Sequence, residues 1–288
     1  MKNNQKINFA FFGTPDVASE TLEILKQNGY IPSLIVTSPD AKRGRGLQMQ
    51  ASPVAIFAEK NNICCLKPEK LDKNFNLVVG LPSGSPTTKW DLSIVVAYGK
   101  IIPENVINSP KFGSINIHYS LLPKYRGASP VESAILNGDI ETGVSIQKME
   151  YEMDSGGIIA QEKIVILPDE KTPDLRKRLI KIGTELLVKI LLEFIADKIK
   201  ATSQNEQEAT YCKKIKKGDG LMDLNDGAVK NYNKFRAYAS WPRTFFFKNG
   251  KRIIITDAIL ENNQFVIKKV LPEGRKEIKY EEFLKKFP

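Results

Sequence analysis

The chain of 288 residues holds a single histidine and three cysteines. Cys64, Cys65 and Cys212 are odd in number and have no spaced partner, so neither a disulfide framework nor a thiolate zinc site is supported. With one imidazole besides, no metal is expected. Cys64 and Cys65 stand in an apolar run, where they behave as small hydrophobes of a reducing compartment. Also missing is any long apolar stretch near the start. Residues 1–6 are polar and lead straight into a short apolar strand, with no small-residue cleavage site, signal or membrane helix. A cytoplasmic chain without a membrane partner is the expectation. Gly13-Thr14-Pro15 opens like a dinucleotide loop, but the later glycines of that fingerprint are absent, which argues against nucleotide binding there.

What is present is ordinary in bulk. The chain is 42% apolar and 26% charged, which fits a globular protein and assigns no function. Its length suits two domains, each with its own core. Charge placement says more. Residues 210–288 carry 18 lysines and arginines against 9 acidic residues, whereas residues 1–209 carry 25 against 24. This asymmetry suits a polyanionic partner for the C-terminal part, or a lysine-rich solvated surface.

The lone histidine lies in an alternating run, Ser114-Ile115-Asn116-Ile117-His118, that reads as a strand. Its isoleucines share one face, and Asn116 and His118 share the other. An imidazole beside an amide at a strand end is a candidate for proton transfer or oxyanion stabilisation. A structural histidine is the other reading. Downstream, Asp154 precedes Gly156-Gly157, a turn able to swing a carboxylate towards His118.

The ordered set Asn116-Ile117-His118, Ser120-Leu121-Leu122-Pro123, Tyr125-Arg126-Gly127, Asp139 to Val144 and Asp154-Ser155-Gly156 closely resembles the folate-dependent formyltransferases. The resemblance runs from about residue 7 to the C-terminus and is strongest to members that act on methionyl-tRNA. It implies transfer of the formyl group of 10-formyltetrahydrofolate to the α-amine of methionine carried on initiator tRNA, with Asn116, His118 and Asp154 catalytic. It also implies a pterin pocket at Tyr98 and Gly99, and folate contacts from Ser120, Leu121, Leu122 and Pro123. The implied fold is α/β: a Rossmann-like, mostly parallel sheet, then a small C-terminal β-barrel of oligonucleotide-binding-like topology. A monomer is expected.

In chain order, residues 7–12 read as a strand. A helix follows, with Thr14 as cap, Pro15 as its first residue and Gly29 just past its end. Residues 31–37 read as a second strand. The segment Lys42-Arg43-Gly44-Arg45-Gly46 cannot easily pack, and predicts a mobile basic loop suited to phosphates. In the family this loop enters the acceptor end of the tRNA, so Lys42, Arg43 and Arg45 are expected tRNA contacts. Residues 78–88 form a breaker-rich loop. Residues 92–97 are a continuous apolar run typical of a central parallel strand, delivering Tyr98 and Gly99 to the carboxyl edge where ligands of open α/β sheets bind. Residues 142–150 and 157–167 are predicted strands. A long amphipathic helix starts at Thr172-Pro173, with Leu175, Leu179, Ile182, Leu186, Leu187, Ile190, Leu191 and Phe194 on its core stripe.

The expected organisation is a catalytic domain over residues 1–197, a linker over 198–209 rich in Ser, Asn, Gln and Glu, and a basic barrel over 210–288. Lys213, Lys214, Lys216 and Lys217 open the barrel as expected tRNA contacts. Short alternating strands with a turn at Asn249-Gly250 supply its sheet.

Overall fold

The computed structural model of the chain describes residues 7–43, 46–72, 75 and 90–287. Arg45 and the breaker-rich loop of residues 78–88 lie outside the described residues. The described chain divides into two compact units. The first comprises residues 1–126, 143–162 and 179–209, and the second residues 127–142, 163–178 and 210–288.

The first unit is built on a seven-stranded sheet whose core is parallel. Strand β1 (Phe9–Gly13) is wholly buried, as a run of five residues without an exposed face must be. It pairs in parallel with β2 (Leu34–Val36) and β6 (Leu92–Val96). Strand β5 (Cys64–Leu66) extends the sheet beyond β2, and β7 (Ser114–His118) extends it beyond β6, both in parallel. An antiparallel edge follows. A short extended segment, β8 (Arg126–Gly127), precedes β9 (Glu141–Lys148), which runs antiparallel to β7 and is neighboured by β10 (Ile158–Val165).

Helix α1 (Asp16–Gln27) follows β1 at once. A Cβ at Gly13 would stand 2.6 Å from the Ala18 Cβ, so only glycine permits this turn. Pro15 is the cap residue of α1. Thr14, expected as the cap, donates its hydroxyl to the Tyr98 carbonyl instead, tying together the ends of β1 and β6. Gly29 sits just past the helix with φ 83°, as expected. Helix α2 (Pro53–Lys60) is capped by Ser52, whose hydroxyl accepts from the Ala55 N–H at 3.0 Å. Helix α3 (Glu104–Ile107) is one turn long.

The basic loop differs from expectation. Its flanks pair as an antiparallel hairpin, β3 (Ala41–Arg43) with β4 (Gln48–Gln50). Gly46 and Leu47, which lead into β4, adopt φ 105° and 49°.

Helix α5 (Thr172–Ile195) buries the predicted stripe at Leu175, Leu179, Leu186, Leu187, Ile190 and Leu191. At Gly183 an added Cβ would lie 2.8 Å from Val144 and 3.1 Å from Ile117. The helix therefore seals the apolar face of β7 and β9, leaving Asn116 and His118 on the other face.

The second unit holds α4 (Pro130–Leu136), the short β11 (Tyr211–Cys212) and α6 (Ala228–Ala237). Four antiparallel strands follow in the order β12 (Phe245–Lys248), β13 (Lys251–Glu261), β14 (Gln264–Pro272) and β15 (Ile278–Lys279), and α7 (Tyr280–Lys286) ends the chain. Where the sequence predicts a small barrel, the described residues form this four-stranded sheet over a core of Met222, Tyr232, Phe235, Phe246, Ile253, Val270 and Phe283. The β12–β13 turn uses Asn249 and Gly250, both at positive φ, as predicted. Asn262 and Asn263 repeat the device between β13 and β14. The unit also incorporates residues from the predicted catalytic domain: Tyr232 donates to Asp169 at 2.8 Å, and Thr172 to the Ala237 carbonyl at 2.7 Å. Among the described residues no helix is long and apolar enough to cross a membrane.

Candidate active site

Strand β7 ends the parallel part of the sheet, and its register with β9 sets the site. Asn116 lies opposite Gln147 and His118 opposite Ser145, so four polar side chains share one face of two adjacent strands. The loop after β9 then returns Asp154 over that face.

Asp154 is the meeting point. Its Oδ1 accepts from Gln147 Nε2 at 2.9 Å and from Asn116 Nδ2 at 3.5 Å. Its Oδ2 lies 3.7 Å from His118 Nδ1. The side chains of His118 and Asp154 are 6% and 14% exposed, so their attraction is little screened. His118 Nε2 stands 2.9 Å from the Tyr125 carbonyl. A carbonyl only accepts, so Nε2 carries a hydrogen, and Nδ1 is the ring nitrogen able to exchange a proton. It is the nitrogen that faces Asp154. Asp154 itself has φ 54°, a left-handed conformation costly for a residue with a Cβ.

Ser120 to Pro123 lie just after His118, and polar side chains of the neighbouring strands hold part of their main chain. Ser145 Oγ donates to the Ser120 carbonyl at 2.6 Å and accepts from the Leu122 N–H at 2.9 Å. Gln161 donates to the Leu122 carbonyl, also at 2.9 Å. Leu121 and Pro123 remain half-buried. Tyr98, expected as a pocket wall, is 3% exposed and packs edge to face on Phe12, 5.5 Å between ring centres. The apolar run of β6 carries its ring into the core, and burial pushes the phenol up to about 12. Gly99, at φ 79°, and Ala97 are the exposed members of that turn. Just beyond, Lys100 and Ile101 line a cavity of about 780 Å³ with Leu71, Glu104, Asn105 and Tyr151.

Lys42 is exposed on the hairpin, with its main chain paired to Met49. Arg43 lies on the same strand, and Arg45 is outside the described residues. Lys213, Lys214, Lys216 and Lys217 are exposed in the second unit. Among the described residues no group of three metal-ligating side chains is found.

Gln147, Ser145 and Gln161 were missed in the sequence. The signal was there for the first two: Val144-Ser145-Ile146-Gln147 alternates as Ile115-Asn116-Ile117-His118 does. Also missed was the segment after α5. Thr202 bridges to Ile158, and the Gln204 amide donates to the carbonyls of Asp154 and Gly156 at 2.8 and 2.7 Å.

Residues 5–191 match the family profile described as formyl transferase, and residues 214–265 the profile described as formyl transferase, C-terminal domain. The methionyl-tRNA formyltransferase of Sulfurihydrogenibium sp. is 38% identical over 254 residues, which is 88% of this chain and 80% of that protein. A sugar 3N-formyl transferase, WlaRD, solved in the presence of dTDP and 5-N-formyl-THF, superposes with a TM-score of 0.66 at 22% identity, covering 90% of this chain and 88% of the other. The methionyl-tRNA formyltransferase of Clostridium thermocellum gives a TM-score of 0.59 at 14% identity, covering 95% and 99%. The two solved structures share the fold, and the sequence matches carry the assignment: the chain belongs to the formyl transferase family.

Proposed function

We propose that the chain transfers the formyl group of 10-formyltetrahydrofolate to the α-amino group of methionyl initiator tRNA, with Asn116, His118 and Asp154 as the catalytic residues. The observation that carries this reading is the convergence on one carboxylate: Asp154 faces His118 Nδ1 with one oxygen while its other oxygen is held by Gln147 and Asn116.

Formyl transfer to an amine needs three things. Negative charge develops on the formyl oxygen as the amine nitrogen bonds to the formyl carbon. The attacking nitrogen must lose a proton, and the departing nitrogen must gain one. A proton on His118 Nδ1 meets the developing charge, and the second N–H of Asn116 is a further donor. Such donors elsewhere contribute roughly 3–4 kcal/mol each. Asp154 balances the positive imidazole, receives the proton from the attacking amine, directly or through water, and passes it on to the departing folate nitrogen as the C–N bond to the formyl carbon breaks. Bond formation and cleavage occur at one carbon, so the balance requires neither oxidation nor reduction.

The folate fits the carboxyl edge of the sheet, with Gly99 and the half-buried Leu121 and Pro123 beside it. Ser120 and Leu122 support those neighbours through Ser145. The tRNA is held through its phosphates by Lys42, Arg43, Arg45, Lys213, Lys214, Lys216 and Lys217, contacts that position rather than specify. The excess of nine positive charges in residues 210–288 supports this. The catalytic unit, the connecting segment 198–209 and the basic C-terminal part are read as one working enzyme, acting as a monomer in the cytoplasm.

The test is transfer of labelled formyl to methionyl initiator tRNA, run beside free methionine, an amino-sugar nucleotide and a His118→Ala control. Transfer to the tRNA alone, lost in the control, is expected. Transfer only to the sugar nucleotide would overturn the acceptor.

A further inference from the structure

We propose that Gln204 is a positioning residue for Asp154, acting with Arg126 from a segment whose composition reads as a mere linker. The inference rests on the catalytic assignment of Asp154 given above.

The Gln204 amide is fixed at both ends. Its Oε1 accepts from Arg126 Nε at 3.0 Å and Nη2 at 2.9 Å, and its Nε2 donates to the carbonyls of Asp154 at 2.8 Å and Gly156 at 2.7 Å. Gln147 Oε1 is 3.4 Å from the same nitrogen. The amide cannot be turned over, because a guanidinium only donates and a carbonyl only accepts. Arg126 is fully buried, and its outer edge is matched by both oxygens of Glu206, at 2.6 and 2.8 Å.

Two features give this network a bearing on the chemistry. The held carbonyl belongs to a residue at φ 54°, a conformation an L side chain resists without support. The Arg126 backbone also continues directly from Tyr125, whose carbonyl fixes His118 Nε2. One buried guanidinium thus sits next in sequence to the anchor of His118 and one amide away from the backbone of Asp154. Tight packing makes the turn unforgiving: a Cβ at Gly156 would lie 1.8 Å from the Lys148 carbonyl. Gln147 and Asn116 hold the carboxylate itself, whereas Gln204 holds the backbone that carries it.

The test is a double-mutant cycle in the full-length enzyme. Gln204→Glu keeps both acceptor bonds from Arg126 and removes the donations to Asp154, Gly156 and Gln147. Gln204→Met removes every one of these bonds and serves as the second variant should the extra carboxylate beside Glu206 impair folding. Each is made alone and with Asp154→Asn, and single-turnover formyl transfer is measured with both substrates saturating, alongside KM and melting temperature.

The expected result is a loss of about 10- to 100-fold in kcat for Gln204→Glu, of the size a misplaced catalytic group produces, with KM changed less than about twofold. In the Asp154→Asn background the same substitution should cost less than about threefold, because its effect passes through the carboxylate. Equal losses in both backgrounds, or unchanged kcat for both Gln204 variants, would overturn the positioning role while leaving Asp154 in place. Full activity of Asp154→Asn alone would instead overturn the catalytic assignment.

Discussion

Gln147 donates to Oδ1 of Asp154 across 2.9 Å, from a strand position directly opposite Asn116. The carboxylate is thereby held by an amide that the reaction does not consume, with its second oxygen turned to His118. Gln147 is itself buried, so the pair exists in a setting of low polarity where a change of charge is felt strongly.

Gln147→Glu should therefore lower formyl transfer by about 100-fold at neutral pH. It sets two carboxylates within hydrogen-bond distance, and they cannot both ionise cheaply. The pH profile of kcat should show a shifted limb absent from wild type, whereas Gln147→Leu should lower kcat by about 10-fold without that limb. Identical profiles for the two variants would show that charge at this position is immaterial.

His118→Ala should cost on the order of a thousandfold in kcat, and Asn116→Ala about a hundredfold, the scale of an oxyanion donor elsewhere. Both should leave KM for the two substrates within about threefold. A large rise in KM with kcat preserved would move these residues from chemistry to binding.

The lysines of the second unit bear on salt dependence. log(kcat/KM) for the tRNA should fall linearly with log of salt concentration, through release of counterions from the nucleic acid. Replacing Lys213, Lys214, Lys216 and Lys217 together with alanine should make that slope shallower by about 1 for each phosphate that a lysine no longer neutralises. A slope unchanged by the fourfold substitution would remove these lysines from the interface.

Gly127 has φ 121°, and a Cβ there would stand 2.2 Å from the Cys212 carbonyl. Gly127→Ala combines a steric clash with a disfavoured backbone and should destabilise the fold by roughly 2–4 kcal/mol. Gly218, which has open space around its Cβ position, is the control: Gly218→Ala should change denaturation midpoints little.

Alkaline stability follows from two buried phenols. Burial pushes Tyr98 up to about 12, and burial together with the hydrogen bond to Asp169 pushes Tyr232 to about 12. In the unfolded chain a phenol ionises near 10. Between those values the unfolded chain releases protons that the folded chain keeps, so stability is full below pH 10 and falls as pH rises towards 12. Denaturation at pH 8.5, 10 and 11 should show little change over the first interval and a fall on the order of 1 kcal/mol for each tyrosine between pH 10 and 11. Tyr98→Phe should reduce that slope and cost nothing at pH 8.5.

Some of this architecture is local in origin. The run of β1, the two-faced alternation of β7, the stripe of α5 and the Asn249-Gly250 turn follow from side-chain periodicity and from glycine's tolerance of positive φ, both properties of neighbouring residues. The face shared by Asn116 and His118 was legible for the same reason, and the ordered motifs pointed to the family. What only the tertiary structure decided was partnership across distance. Register between β7 and β9 put Gln147 opposite Asn116, and a slip of one residue would have turned both away. Tyr98 looked like a ligand wall until its ring went into the core. Residues 198–209 read as a linker, and most of them are exposed, but Gln204 is half-buried. Gln204 has a partner because a buried arginine 78 positions earlier needs an acceptor there, and such a pairing lies in no local pattern. It is fixed only when burial makes an unpaired charge too costly to leave.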